Sequence, residues 1–235
     1  MEFKKISAPS LHELFVAQLE HLIISGKLQI GEKLPPERQL AEMMQVSRSV
    51  VNSGINELEK KGFLTIKPRS GTYVADYRRK GTMDTLMAIM KYNGGRIRNE
   101  EIRSIFELRI ALDSLAAKLC IDRITDEEIQ LLFEKVEDIR TAESKSDAIR
   151  AAFEFQHEFA LVSGNTLIPL VFQSFIAPIN TLWERFIDLY GLDILYQRNY
   201  KMWTFIKNRD TEGAIEWIEK SMEECISGDY QIYYN

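Results

Sequence analysis

The sequence predicts a mostly α-helical chain in two parts: three helices closed by a two-stranded hairpin, then an all-helical bundle. Three observations carry this. Apolar residues recur at helical spacing through most of the chain. The extended runs, Phe63–Ile66 and Thr72–Val74, flank a basic tip that contains a glycine. No strand pattern follows residue 80. With 235 residues, 45% of them hydrophobic, the chain is long enough for two ordinary domains and can bury a core in each.

The elements follow in order. Pro9-Ser10 opens a first helix with apolar positions Leu11, Leu14, Phe15, Leu19, Leu22 and Ile23, and Gly26 is its natural stop. Residues 27–34 read as a connector. Pro35-Pro36-Glu37 starts a second helix that runs through Met44, with proline and glutamate in the favoured first turn. Ser47 caps a third helix that ends at Lys61, before Gly62. Val51, Ile55 and Leu58 form its buried stripe, and Gly54 is expected to allow close packing on the second helix. The hairpin follows, around Lys67-Pro68-Arg69-Ser70-Gly71.

Residues 1–77 are therefore expected to form one domain, 78–98 a linker with a short helix, and 99–235 a second domain. In the second, Asn99 caps a helix to about Asp122, and Thr125 with Glu128 forms a capping box for the next. Further helices are expected over 146–162, 166–190, 193–208 and 211–226, with Pro178 kinking or splitting the 166–190 segment.

Charge and composition bound the chemistry. The net charge of −5 hides an asymmetry: residues 1–80 carry thirteen Lys and Arg against nine Asp and Glu, and the remainder is acidic. A basic first part suits an anionic partner such as nucleic acid. Cys120 and Cys225 form no CxxC pair, which suits a reducing compartment and two small buried hydrophobes. No apolar run reaches membrane-spanning length and no signal peptide is visible, so a cytoplasmic protein with no membrane association is expected. There is no Ser/His/Asp set, no phosphate-binding loop and no evident carboxylate pair, so an enzyme is not expected.

The third helix points to DNA. Opposite its buried stripe it presents Arg48, Ser49, Asn52, Ser53 and Asn56, short polar donors and one arginine near its N-terminal end. A recognition helix enters the major groove by such an end; a solvated amphipathic helix has the same pattern. The wider segment narrows the choice. Lys33-Leu34-Pro35-Pro36-Glu37-Arg38-Gln39-Leu40-Ala41, Val46-Ser47-Arg48, Leu58-Glu59-Lys60-Lys61-Gly62-Phe63-Leu64 and Arg69-Ser70-Gly71-Thr72-Tyr73-Val74 together resemble the GntR family of winged helix-turn-helix repressors over residues 10–76. The resemblance implies that Arg38 and Arg48 contact guanines or phosphates and that Ser47 and Ser49 bind phosphate. It also implies that the wing, Lys67, Arg69, Ser70 and Gly71, reaches the minor groove. For Arg38, an exposed ion pair with Glu42 is the alternative. The family's usual Val-Arg-Glu-Ala-Leu reads Val51-Asn52-Ser53-Gly54-Ile55 here, so Asn52 replaces an arginine; asparagine can pair bidentately with adenine.

In the second part, Glu107-Leu108-Arg109-Ile110-Ala111-Leu112-Asp113, Leu115-Ala116-Ala117, Thr125 to Ile129 and Ala160-Leu161-Val162-Ser163-Gly164-Asn165 resemble the FCD, or FadR-type, domain. That resemblance implies a bundle of six or seven helices around an effector cavity, and a homodimer on a pseudo-palindromic double-stranded operator. Arg109 also has its own argument. It lies on the helix's apolar face, where a cation pairs with Asp113, snorkels to water, or clamps a ligand carboxylate or phosphate.

Many FCD domains hold a divalent metal through Asp-x-x-x-His and two later histidines. Those positions fall on Ala152, Gln156, Asn199 and Ser221, and His157 lies one residue past the expected place, so neither a metal site nor another cofactor is expected. Gln156, Asn199 and Ser221 are instead expected to join Arg109 in binding the effector. The density of aromatics from Phe153 to Trp217 suits an apolar cavity, and the resemblance to metal-free FadR-type regulators implies an acyl-CoA or another largely apolar acid as effector.

Overall fold

The computed structural model describes residues 9–92 and 99–234. The chain divides into two compact units, residues 1–94 and 95–235.

The first unit is built on α1 (Leu11–Ile24), α2 (Glu37–Met44) and α3 (Arg48–Lys60), with strands β1 (Leu64–Lys67) and β2 (Gly71–Val74). Ser10 and Glu13 form a reciprocal capping box at the start of α1. Ser47 caps α3 by accepting from the Val50 amide at 3.3 Å. The stripe of α3 is buried as its spacing requires: Val51, Ile55 and Leu58 are at most 1% exposed. Burial of side chains of this size contributes roughly 1.5–3 kcal/mol each.

Two details of α1 differ from expectation. Leu11 and Leu14 are exposed, and the buried face is Phe15, Val16, Leu19, Ile23 and Ile24, set by contact with α3. Gly54 packs on α1 rather than on α2: its nearest neighbours are the Phe15 ring and Val16.

β1 and β2 pair antiparallel, with Leu64 opposite Val74 and Lys67 opposite Gly71. The connector over residues 31–34 lies along the other side of β2. Gly31 and Leu34 amides donate to the Val74 and Thr72 carbonyls, and the Val74 amide donates to the Glu32 carbonyl, each at 2.9 Å. Both sides of β2 are thus paired. After the hairpin come a single turn, α4 (Tyr77–Lys80), and α5 (Met83–Lys91). Thr85, 2% exposed, donates its hydroxyl to the Lys61 carbonyl, and Ala88, Ile89 and Tyr92 pack against the first unit's core. The short helix expected in the linker is therefore docked on the winged core.

The second unit is a bundle of α6 (Asn99–Ile121), α7 (Asp126–Arg140), α8 (Lys145–Val162), α9 (Ile168–Ser174), α10 (Ile176–Tyr190), α11 (Leu192–Lys207) and α12 (Thr211–Ser227). Thr125 and Glu128 form the expected capping box, and Ser144 caps α8. The segment containing Pro178 is split, with the break at Phe175, three residues earlier. Proline has no amide to bond the Ser174 carbonyl, so Pro178 is accommodated in the first turn of α10. Cys120 and Cys225 are both buried free thiols, and burial pushes them up to about 12 and about 11. Among the described residues no helix is long and apolar enough to cross a membrane.

Candidate nucleic-acid interface and internal cavity

The outer face of α3 carries Arg48, Ser49, Asn52, Ser53 and Asn56, all exposed. Its polar groups are partly ordered by one another. Asn56 donates to Asn52 Oδ1 at 3.1 Å, and Asn52 Nδ2 lies 3.5 Å from Glu37 Oε1 on α2. Ser53 returns its hydroxyl to the Val50 carbonyl at 3.1 Å. Arg38, on α2, makes the exposed pair with Glu42 at 3.0 Å, with both side chains at least two-thirds exposed. Such a pair is worth at most about 1 kcal/mol and yields readily to a phosphate. Among the described residues no carboxylate pairs with Arg48, and Ser47 and Ser49 lie beside it at the helix N-terminus.

The wing is a tight, basic turn. Arg69 adopts a left-handed conformation, φ +62°, and Gly71 has φ +124°; a side chain at Gly71 would meet the Lys33 stem. The Ser70 hydroxyl and the Tyr73 phenol share a hydrogen bond of 2.7 Å. Lys67 Nζ sits 4.6 Å and Lys33 Nζ 5.8 Å from the centre of the Tyr73 ring. The Ser70 bond, reinforced by the two lysines, lowers the Tyr73 pKa below its ordinary value. Glu59 on α3 accepts from the Ile66 amide at 2.7 Å and so ties the wing to the recognition helix. The roles of Lys33, Tyr73 and Glu59 were not assigned from sequence. The basic tip was visible there, but the ring that gathers its lysines was not.

In the second unit a cavity of about 90 Å³ lies between α6, α8, α10, α11 and α12. Arg109, Gln156, Asn199 and Ser221 come from four of these helices and all line it. The walls are otherwise largely apolar, with Phe106, Phe155, Phe159, Trp183, Phe186 and Trp217 among them. Other aromatics in the sequence lie elsewhere: Tyr196, Trp203 and Phe205 belong to the core beneath, and Phe153, Phe172 and Phe175 line a small apolar space on the other side of Arg109 and Gln156.

Arg109 is 7% exposed. It donates to Asp113 Oδ2 at 2.9 Å and to Gln156 Oε1, and lies 5.7 Å from the Trp183 ring centre. The ion pair with Asp113 is thus formed, and the arginine faces the cavity as well. Burial pushes the Asp113 carboxyl above its usual range, opposed by Arg109, and Asp113 Oδ1 has no hydrogen-bond partner among the described residues.

A second guanidinium, Arg198, also lines the cavity. It pairs with Glu224 at 2.8 Å, donates to the Ser221 carbonyl, and lies 4.9–5.5 Å from the ring centres of Phe186, Trp217 and Tyr230. Sequence reasoning missed it. The signal was available, because Arg198 stands three after Leu195 and four before Met202, the same apolar-face position that singled out Arg109.

Comparison with known proteins assigns both units. Residues 12–74 match the family described as bacterial regulatory proteins, gntR family, and residues 104–224 match the FCD domain. The chain belongs to the GntR family of regulators, in the group that carries an FCD domain. This GntR-family regulator is 28% identical over 171 residues to the uncharacterized HTH-type transcriptional regulator YcbG of Bacillus subtilis, covering 73% of this chain and 70% of YcbG. It is 27% identical over 177 residues to the HTH-type transcriptional regulator Mce2R of Mycobacterium tuberculosis, covering 75% and 73%. The solved structure of Lar, which controls expression of the Listeria monocytogenes agr system, shares its fold at a TM-score of 0.63. That match has 14% identity and covers 97% of this chain and all of that one. The regulator is a transcription factor and not an enzyme.

The residues at the family's metal-ligand positions do not fit a divalent cation. Ala152 offers no donor atom, Gln156 Oε1 accepts from Arg109, and Asn199 and Ser221 donate to the Leu195 and Ile218 carbonyls at 2.8 and 3.0 Å. Two guanidiniums in the same cavity oppose a cation further. His157, the nearest histidine, stacks on Phe153 at 5.5 Å. Among the described residues no group of three or more His, Cys, Asp or Glu is placed to hold a metal.

Proposed function

We propose that this regulator is a homodimeric repressor that binds a pseudo-palindromic operator and releases it when a small, largely apolar acid occupies the cavity of the FCD domain. The observation that carries this reading is the convergence of Arg109, Gln156, Asn199 and Ser221, with Arg198, on one mostly apolar cavity. A guanidinium already held by a neutral amide can exchange that contact for a bidentate carboxylate. A cavity of about 90 Å³ is small beside those that take drug-sized ligands, which favours a short-chain acid over a long-chain acyl-CoA.

On the DNA side, Arg48, Ser49 and Asn52 enter the major groove, with Ser47 and Arg38 on the backbone and Lys67, Arg69, Ser70 and Gly71 in the adjacent minor groove. The reading surface belongs to the first unit, residues 1–94, and the cavity to the second, residues 95–235.

A panel of short aliphatic and aromatic monocarboxylates, scored by thermal melting and by release of a selected operator, tests the reading. A true effector at one hundred times its dissociation constant raises the melting temperature by about 5–10 °C and weakens operator binding at least several-fold. No shift and no release with any acid would overturn the effector assignment.

A further inference from the structure

The segment after α12 has no helix or strand of its own, yet it is closely held. Its Ile232 amide donates to the Cys225 carbonyl at 3.1 Å, and Gln231 Nε2 to the Ile226 carbonyl at 3.0 Å. The Gln231 amide also donates to the Gly228 carbonyl at 3.2 Å, and other partners come from far along the chain. Arg185 on α10 donates to the carbonyls of both Ile232 and Tyr233, and its guanidinium lies 3.8 Å from the Tyr234 ring centre. Tyr190 donates to the Gln231 carbonyl at 2.6 Å. At the far end Asn99, the first residue of α6, clasps Tyr234 from both sides: its amide donates to the Tyr234 carbonyl at 2.9 Å, and its oxygen accepts from the Tyr234 amide at 2.8 Å. Inside this strap Ile232 is 1% exposed and forms part of the cavity wall, while Tyr230 stands against Arg198.

We propose that residues 229–234 are a removable strap that closes the cavity, with Ile232 as its plug, Arg185 as its buckle and Asn99 as its clasp. It rests on the reading of the cavity as the effector site. An integral core segment has its carbonyls paired in a ladder or helix. Here the strap's carbonyls are held mainly by three side chains, so it opens as a local unit without loss of the helices beneath it. Opening exposes the face carrying Arg198 and frees the start of α6, the helix that supplies Arg109 and Asp113.

Cys225 lies on the cavity wall beneath the strap, and Cys120 is fully buried in the bundle core, so the two thiols report opening and global unfolding separately. The test is the labelling rate of each by methyl methanethiosulfonate at pH 8, read by peptide mass spectrometry on the full chain and on the Asn99→Ala and Arg185→Gln variants. Cys225 should label at least ten times faster in both variants, with Cys120 unchanged. An unchanged Cys225 rate in both, or a parallel rise of both cysteines in both, would overturn the strap. Because no effector is needed, a failure of every acid to bind would show separately, as flat melting curves beside intact labelling differences.

Discussion

Gly54, in the middle of α3, lies against the Phe15 ring of α1 so closely that a β-carbon there would come within 2.7 Å of Cε1 and nearer still to Cδ1. The two helices that shape the recognition unit therefore meet through a position with no side chain. In isolation Gly→Ala favours a helix by about 1 kcal/mol. At this position the overpacking cost, about 1–3 kcal/mol, exceeds that gain. Gly54→Ala should lower the urea midpoint and weaken operator binding, and the paired Phe15→Leu change should recover part of the stability. A more stable Gly54→Ala protein would contradict the packing described.

Asn52 is held by Asn56 at 3.1 Å and faces Glu37 at 3.5 Å, so its amide is partly oriented before DNA arrives. Asn52→Ala should relax selection at one A·T pair in each half-site, a loss of about 1–3 kcal/mol of discrimination there. Arg38→Ala, at a backbone contact, should instead weaken all sequences together and flatten the salt dependence. In vitro operator selection at two salt concentrations separates the two behaviours.

Arg109 and Asp113 are both nearly buried, at 7% and 2% exposure. Removing only the arginine leaves a carboxylate without its counter-charge, and Arg109→Met should cost about 3–5 kcal/mol. Adding Asp113→Leu should restore much of that stability by chemical denaturation while leaving the protein unresponsive to acids. If the single and double variants are equally destabilised, the pair is not the source of the loss.

Glu137 joins α7 to α11 by accepting from the Tyr196 hydroxyl at 2.8 Å, and it also pairs with Arg140. Arg140 first, then Tyr196, holds the Glu137 carboxyl below its ordinary 4.5. A depressed carboxylate stabilises the fold above its unfolded value, and the contribution disappears as pH falls through the folded one. Glu137→Gln should therefore melt lower than the parent at pH 7, and the gap should narrow as pH drops below 4.5. A gap that widens in acid would reverse the sign and refute the linkage.

Much of this was legible because it is local. Ser10, Ser47 and Thr125 cap helices through contacts three residues away, and the stripe of α3 repeats within a few turns. What escaped is nonlocal. Leu11 and Leu14 fit the helical period of α1 but lie outside the face that α3 covers. The pairing of residues 31–34 with β2 has no alternation to announce it. The strap is tied to Asn99 across 135 residues by bonds between that side chain and the Tyr234 backbone, which leave no mark in composition or spacing.

The Glu59 bond to Ile66, with both sides of β2 occupied, has a mechanical meaning. Helix and hairpin are held together as one unit, so on the proposed reading the spacing between the groups offered to adjacent grooves is fixed within it. A signal from elsewhere in the molecule finds no joint to bend inside that unit. For the proposed effector-controlled dimer, sensitivity to effector should therefore appear in the preferred spacing between half-sites before it appears in the bases each half prefers.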